Sequence, residues 1–342
     1  MKHFPVKPLL GVFKYVKTTT IIMKPKVLIS PDTDNVPRDV TDSLKELAEV
    51  EYVKRPYDDK LKDAYAVLVG TEPIGAEYLD KAPKLKLVAR FGVGYDSVDV
   101  DECTKRGITV THTPEVLSSG VADHTWALIL GYNRHIPLAD NFTKTKWAKR
   151  EGFIPFGWDT EGKTLGILGL GRIGLEVLKR AQGFPVKTIY NDLIRREDLE
   201  KKYGIEYVSF DELLRRSDIL TIHLSLQESS RGIINKAALA KMKPTALIVN
   251  TSRGPVIDEK ALIKTLQEKK IGGAALDVYE KEPTPLDNPL LKLDNVLLTP
   301  HCASATWETR RKMAARSVGN IKIFLEGKRP PHVVPEQRDV IF

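Results

Sequence analysis

The run TLGIL at 164–168, followed directly by GLGRIG at 169–174, constrains this chain more than any other feature. An apolar run of strand length enters a glycine turn and leaves as a helix-periodic segment, 173–182. Gly169 permits the tight turn, Gly171 lets the backbone approach a pyrophosphate, and Gly174 lets the helix lie close on the strand. The helix start, with Arg172 and Ile173, offers unpaired N–H groups and partial positive charge to that anion. A lone G-x-G-x-x-G is weak; set between strand and helix it is a dinucleotide fingerprint. Asp192 follows the next strand, 18 residues after Gly174. An acid there suits the ribose hydroxyls of NAD and repels the extra phosphate of NADP. Arg195 and Arg196 lie nearby and keep NADP open as the alternative.

The same alternation runs along the chain. Strand-length apolar runs fall at 26–30, 65–69, 85–90 and 108–110, then at 187–190, 219–224, 246–250, 273–277 and 296–299. Helix-like stretches lie among them at 42–50, 119–135, 258–269 and 304–326. Near-continuous apolar strands with intervening helices imply α/β architecture, with parallel sheets covered on both faces. A length of 342 residues suggests two domains. The first α/β unit ends near Pro114, and the 119–135 helix links it to the second.

Charge narrows the partners. The net charge is +8, but residues 1–24 hold five lysines and no acid, so the remainder carries only +3. That balance argues against a nucleic-acid partner. Residues 1–23 read as an extension outside the fold, because Pro5, Pro8 and Lys14 interrupt any secretory apolar core. No apolar run approaches the length of a membrane span. Two cysteines, Cys103 and Cys302, make neither a disulfide framework nor a zinc-finger pattern. The expectation is a cytoplasmic protein with no membrane partner, no nucleic-acid partner and no metal.

Ligands of such sheets sit outside the carboxyl ends of the strands. Arg253 follows ALIVN, Asp277 ends GAALD with Glu282 five residues on, and His301 follows VLLT. Three successive strands thus deliver Arg, Glu and His to one rim. Hydride transfer at a carbonyl carbon uses such a set. The guanidinium binds a substrate carboxylate, the imidazole exchanges the hydroxyl proton, and the carboxylate stabilises the charged imidazole. Cys302, His112 and His223 read as a small filler, a loop hydrogen-bonder and a histidine satisfied within its strand.

With these residues the sequence resembles the D-isomer-specific 2-hydroxyacid dehydrogenase family. The matching segments are RFGVGYD (90–96), GLGRIG (169–174), NTSRG (250–254), GAALDV (273–278), Glu282-Pro283 and Pro300-His301, in the family's order over most of 24–330. The resemblance implies two Rossmann-like domains. A discontinuous substrate-binding domain would comprise 24–118 plus 306–342, and an NAD-binding domain 119–305. It implies catalytic roles for Arg253, Glu282 and His301, and substrate contacts from Val93, Gly94, Arg253 and His301. The cofactor would be lined by Thr125, Leu224, Thr251, Ser252, Arg253, Asp277, His301, Ala303 and Ser304, with Asp277 meeting the nicotinamide carboxamide. A homodimer through the larger domain is implied.

The segment ASATWETR (303–310) looks most like the glyoxylate and hydroxypyruvate reductase branch. Trp147 stands where that branch can reach a partner's active site; a buried packing tryptophan is the other reading. Two further alternatives stay open. One is a phosphoglycerate dehydrogenase without its regulatory domain. The other is an NADH-sensing scaffold similar to corepressors of the superfamily, suggested by Asp123 in VADH. Glu282 argues against formate dehydrogenase, which uses an amide there; phosphite dehydrogenase shares the Arg–Glu–His set.

Overall fold

A computed structural model describes residues 24–30 and 36–339. The leader 1–23 lies outside the described residues, as do positions 340–342 of the expected substrate-binding domain. Among the described residues, twelve strands form two wholly parallel sheets. The first comprises β1 (Lys26–Ile29), β2 (Glu49–Tyr52), β3 (Ala64–Val69), β4 (Leu87–Arg90) and β5 (Thr109–Thr111), in the order β2-β1-β3-β4-β5. The second comprises β6 (Thr164–Leu168), β7 (Lys187–Asn191), β8 (Glu206–Tyr207), β9 (Ile219–Ile222), β10 (Leu247–Asn250), β11 (Gly273–Leu276) and β12 (Val296–Leu298). Its order is β12-β11-β10-β9-β6-β7-β8. Both are doubly wound α/β sheets, as the sequence led us to expect. Strand order reverses between β1 and β3 in one, and between β6 and β9 in the other. These crevices are where open parallel sheets bind ligands.

The strands are apolar because both faces are covered. β3 and β4 are almost wholly buried, and two apolar clusters flank each sheet. The helix Trp307–Leu325 packs Met313, Ala314, Val318 and Ile321 onto Val27, Ile29, Leu68 and Leu87 of the first sheet. The chain therefore returns to its beginning after building the second sheet. Gln337 completes that return. Its fully buried amide accepts from Val110 N (2.7 Å) and donates to Ile108 O and Thr104 Oγ1 (both 2.9 Å).

One expectation fails locally. The stretch 42–50 is not one helix: Asp42–Glu46 is a 3-10 turn, and Glu49–Tyr52 is an edge strand. Glu49-Val-Glu-Tyr has the period-two alternation of a strand, and Lys26 bonds Glu51 at 2.5 Å across to β1. The two-residue β8 lies below the length that periodicity can detect.

Gln337→Ala would strand the Val110 N–H and the Ile108 carbonyl in the interior. A buried unpaired group costs about 1–3 kcal/mol, so the variant should lose roughly 2 kcal/mol or more in urea unfolding with little change in m-value.

Candidate active site

The glycine loop fits a dinucleotide for steric reasons that can be read at each position. Gly169 has φ +91°, and a Cβ there would lie 2.9 Å from His223 O. A Cβ on Gly174 would lie 2.2 Å from Gly169 O, so this glycine serves close packing. A Cβ on Gly171 would meet nothing within 4 Å, so this glycine keeps open space beside the loop. The helix Arg172–Ala181 begins at Gly171 with no side chain capping it, which leaves its first-turn donors for a ligand. Asp192 accepts from Leu170 N at 2.6 Å and from Ile194 N at 3.1 Å, so it braces the loop from β7. Arg195 is bidentate to Glu200 and Arg196 to Asp198, so the two cations that would favour NADP are already paired.

Two residues of this loop reach the first sheet. Arg172 pairs with Glu115 at 3.1 Å, and Ile173 packs on the first sheet's apolar cluster. Thr125 and Thr251, both buried, share a 3.0 Å hydrogen bond between the 118–133 helix and the end of β10. Leu224 packs on the second sheet's core just past β9. Ser252 bonds Asn250 through its hydroxyl (2.8 Å) and backbone N–H (3.0 Å), and Asn250 Nδ2 donates to Arg253 O. Asn250 therefore shapes the turn that presents Arg253. It stands within the NTSRG motif, but its role emerges only from these bonds.

Arg253 spans the two sheets. Its Nε donates to Asp96 Oδ1 at 2.8 Å, and its Nη1 to Ser252 O. Its Nη2 lies so near Gly94 that a Cβ there would sit 1.7 Å away. Gly94 thus has to be glycine for this arginine to seat. Val93 is fixed by His112, whose Nδ1 is 2.9 Å from Val93 O; this is the loop role expected of His112. Behind this loop lies Arg90, 5% exposed, whose Nε has no hydrogen-bond partner. Burial, then repulsion from Arg253, pushes its pKa down to about 10. Sequence reasoning quoted Arg90 within a motif and missed this charge, because its burial comes from other elements.

On the neighbouring strands, His301 Nδ1 lies 2.6 Å from Glu282 Oε2, and Glu282 Oε1 accepts from Tyr279 N. Both side chains are about one-third exposed. The ends of β10 and β12 lie about 10 Å apart, two interstrand spacings. His301 itself sits at φ +49°, held by donating its N–H to Asp277 O at 2.8 Å. Asp277 is fully buried. Its Oδ1 accepts from Thr299 Oγ1 (2.6 Å) and Cys302 N (2.9 Å), and its Oδ2 from Ala303 N (2.8 Å). Burial pushes this carboxyl up. Bonds from His124, Thr299 and the two backbone donors outweigh burial and hold it below the ordinary range. Ala303 is itself buried in the first sheet's cluster, and Ser304 is half-buried beside it.

The structure also places Trp147, Asp123 and His223. Trp147 is 65% exposed, so the packing-tryptophan reading is wrong. It follows the helix Ile136–Thr145, whose Ile136 and Leu138 are exposed among the described residues. Asp123 pairs with Arg180 at 2.6 Å and braces two helices. His223 bonds Thr221 through Nε2, but its Nδ1 is buried without a partner although other atoms of the residue reach the surface. It is therefore only half satisfied, and burial pushes its pKa down to about 3. No described helix is long and apolar enough to cross a membrane.

Two doubly wound sheets, a dinucleotide loop and an Arg–Glu–His rim define an oxidoreductase that uses a nicotinamide dinucleotide. Residues 126–303 match the family described as D-isomer specific 2-hydroxyacid dehydrogenase, NAD binding domain. The chain is 44% identical over 325 residues to a glyoxylate reductase of Korarchaeum cryptofilum, covering 92% of this chain and 97% of that one. It is 33% identical to a solved NADPH-dependent glyoxylate/hydroxypyruvate reductase of Sinorhizobium meliloti, in complex with NADP and malonate. That likeness has a TM-score of 0.82 and covers 92% of this chain and 97% of the other. A solved protein of Thermus thermophilus, TT0316, is 34% identical with a TM-score of 0.82, over 90% of this chain and 99% of its own. The chain belongs to the D-isomer-specific 2-hydroxyacid dehydrogenase family and is an NAD(P)-dependent oxidoreductase.

Two outcomes test this geometry. Gly171→Ala should leave the melting temperature nearly unchanged while weakening NADH binding, measured by fluorescence titration. Gly174→Ala should lower the melting temperature, because backbone must move by overpacking worth about 1–3 kcal/mol. Separately, His223 is neutral when folded but takes a proton when unfolded below its ordinary value of 6.5. The unfolded state then binds more protons, so stability falls as pH drops from 6.5 towards about 3. His223→Asn should reduce that acid-side slope by up to one proton in urea unfolding at several pH values; an unchanged slope contradicts the burial argument.

Proposed function

We propose that this chain is an NAD(H)-dependent reductase of small 2-keto acids, with glyoxylate and hydroxypyruvate as its substrates. The observation that carries the reading is the 2.6 Å His301–Glu282 pair on the rim that also presents Arg253. The names of the similar reductases support the substrate class. Bound nicotinamide dinucleotide supplies a hydride for the C2 carbon.

The protein's part follows from its own groups. Arg253, held at Nε by Asp96, turns Nη2 towards the Gly94 backbone, where a planar carboxylate can be gripped by guanidinium and loop together. The buried charge of Arg90 behind the loop adds positive potential for that anion. His301 Nδ1, 2.6 Å from Glu282 Oε2, is oriented by that carboxylate, which leaves Nε2 facing away from it. Nε2–H is then the proton passed to the C2 oxygen as it becomes a hydroxyl. Asp277 acts as the anchor of the His301 turn, in addition to any contact with the carboxamide. The pairing of Arg195 and Arg196 with acids supports NAD over NADP.

In the same reading, residues 24–118 with 306–342 bind substrate and 119–305 bind the cofactor. Ile136, Leu138, Trp147, Phe153 and Phe156, all exposed, support a homodimer built on this arm. The free cysteines fit a reducing cytoplasm.

Purified chain should oxidise NADH with glyoxylate or hydroxypyruvate faster than with pyruvate or phosphohydroxypyruvate. His301→Asn should lower kcat about 10²-fold or more. Arg253→Lys keeps the charge but loses the fork, and should lower kcat/KM by about tenfold or more. Turnover with none of the four acids sinks the proposal.

A further inference from the structure

Beside the His301 turn lies a cluster whose imidazole and thiol take no part in the proposed chemistry. His124 comes from the helix Ser118–Asn133, Asp277 from the end of β11, and Cys302 from the turn after β12. Their ligand-type atoms all lie within 4.8 Å of one another. His124 Nε2 is 3.5 Å from Asp277 Oδ1. Two ligands of one tetrahedral zinc ion, each bonded at about 2.1 Å, lie about 3.4 Å apart. We propose that His124, Asp277 and Cys302 form a binding site for a thiophilic divalent cation of the Zn²⁺ class.

The chemistry of the set supports this choice. Imidazole, carboxylate and thiolate together suit Zn²⁺ or Co²⁺, whereas Mg²⁺ and Ca²⁺ prefer oxygen alone. Three protein ligands leave a fourth position for water. One outer-shell bond is in place, since Asp277 Oδ2 is fixed by Ala303 N, while Thr299 Oγ1, 2.6 Å from Asp277 Oδ1 and 3.1 Å from His124 Nε2, is the group the ion would displace. His124 and Cys302 are each partly exposed, which provides a route in, while Asp277 forms the buried floor. Binding replaces the Cys302 thiol proton by the metal and releases that proton to solvent.

Occupancy has a consequence for the rim. The ion competes for Asp277 Oδ1 with Cys302 N and Thr299 Oγ1, two of the bonds that hold the turn carrying His301. Metal binding therefore inhibits reduction. This second step rests on the proposed reductase function, whereas metal binding does not.

The test uses the full chain after EDTA treatment, titrated with Co²⁺. We expect a thiolate-to-cobalt band in the near ultraviolet and intense tetrahedral d–d bands, saturating near one equivalent and abolished by Zn²⁺. The chain has two cysteines. Cys103 is fully buried, with its thiol pushed up to about 12, so the band reports Cys302. Cys302→Ala should remove the band while keeping the melting temperature and the metal-free turnover. His124→Gln should weaken Co²⁺ binding at least tenfold. Zn²⁺ should inhibit the unsubstituted chain, reversibly with EDTA, and Cys302→Ala should be at least tenfold less sensitive. Absence of the band at millimolar Co²⁺, or an undiminished band in Cys302→Ala, overturns the site. Equal Zn²⁺ inhibition of both proteins overturns its link to His301. A cobalt band in a chain with no keto-acid turnover would uphold the site and count against the reductase reading alone.

Discussion

The strand-end rim that carries Arg253, Glu282 and His301 depends on one buried carboxylate. Asp277 is wholly shielded from solvent, yet its oxygens collect bonds from Thr299, Cys302 and Ala303, with His124 close by. A buried charge is tolerable only when donors surround it, and these donors belong to the turn that must hold His301 at positive φ. The backbone carbonyl of the same residue receives the His301 N–H. Fixing the end of β11 therefore fixes the imidazole where it meets Glu282.

The second constraint lies across the two sheets. Arg253 lies in the turn after β10, but its orientation is set by Asp96 and by the missing Cβ of Gly94, both from the loop after β4 of the first sheet. Arg172 and Ile173 make similar crossings from the glycine loop. The orientation of Arg253 and the placement of the glycine loop thus depend on how the first sheet is seated. The first sheet itself is completed by the returning C-terminal helix and by Gln337, far along the chain from its strands.

Much of this was legible in the residues. Strand β6 was read with its observed ends, and most others lay within one or two positions, because buried parallel strands are short apolar runs with sharp borders. β2 was absorbed into a helix because its alternation spans only four residues. Arg253, Glu282 and His301 could be singled out because strand ends of a doubly wound sheet converge on one rim. Asp96, Asn250 and Arg90 were visible only as letters of motifs. Their work consists of contacts made 3 to 157 residues away, or of burial by other segments.

The sequence by itself determined the class of fold, the place of the dinucleotide loop and the identity of the rim residues. Local periodicity, glycine spacing and strand-end chemistry are short-range properties written in consecutive residues. Only the tertiary structure decided that Trp147 stands in solvent and that the two arginines near Asp192 are already paired. Only it brought His124, Asp277 and Cys302 into one cluster. Those outcomes depend on which distant segments cover or face a side chain, and no pattern along the chain encodes that.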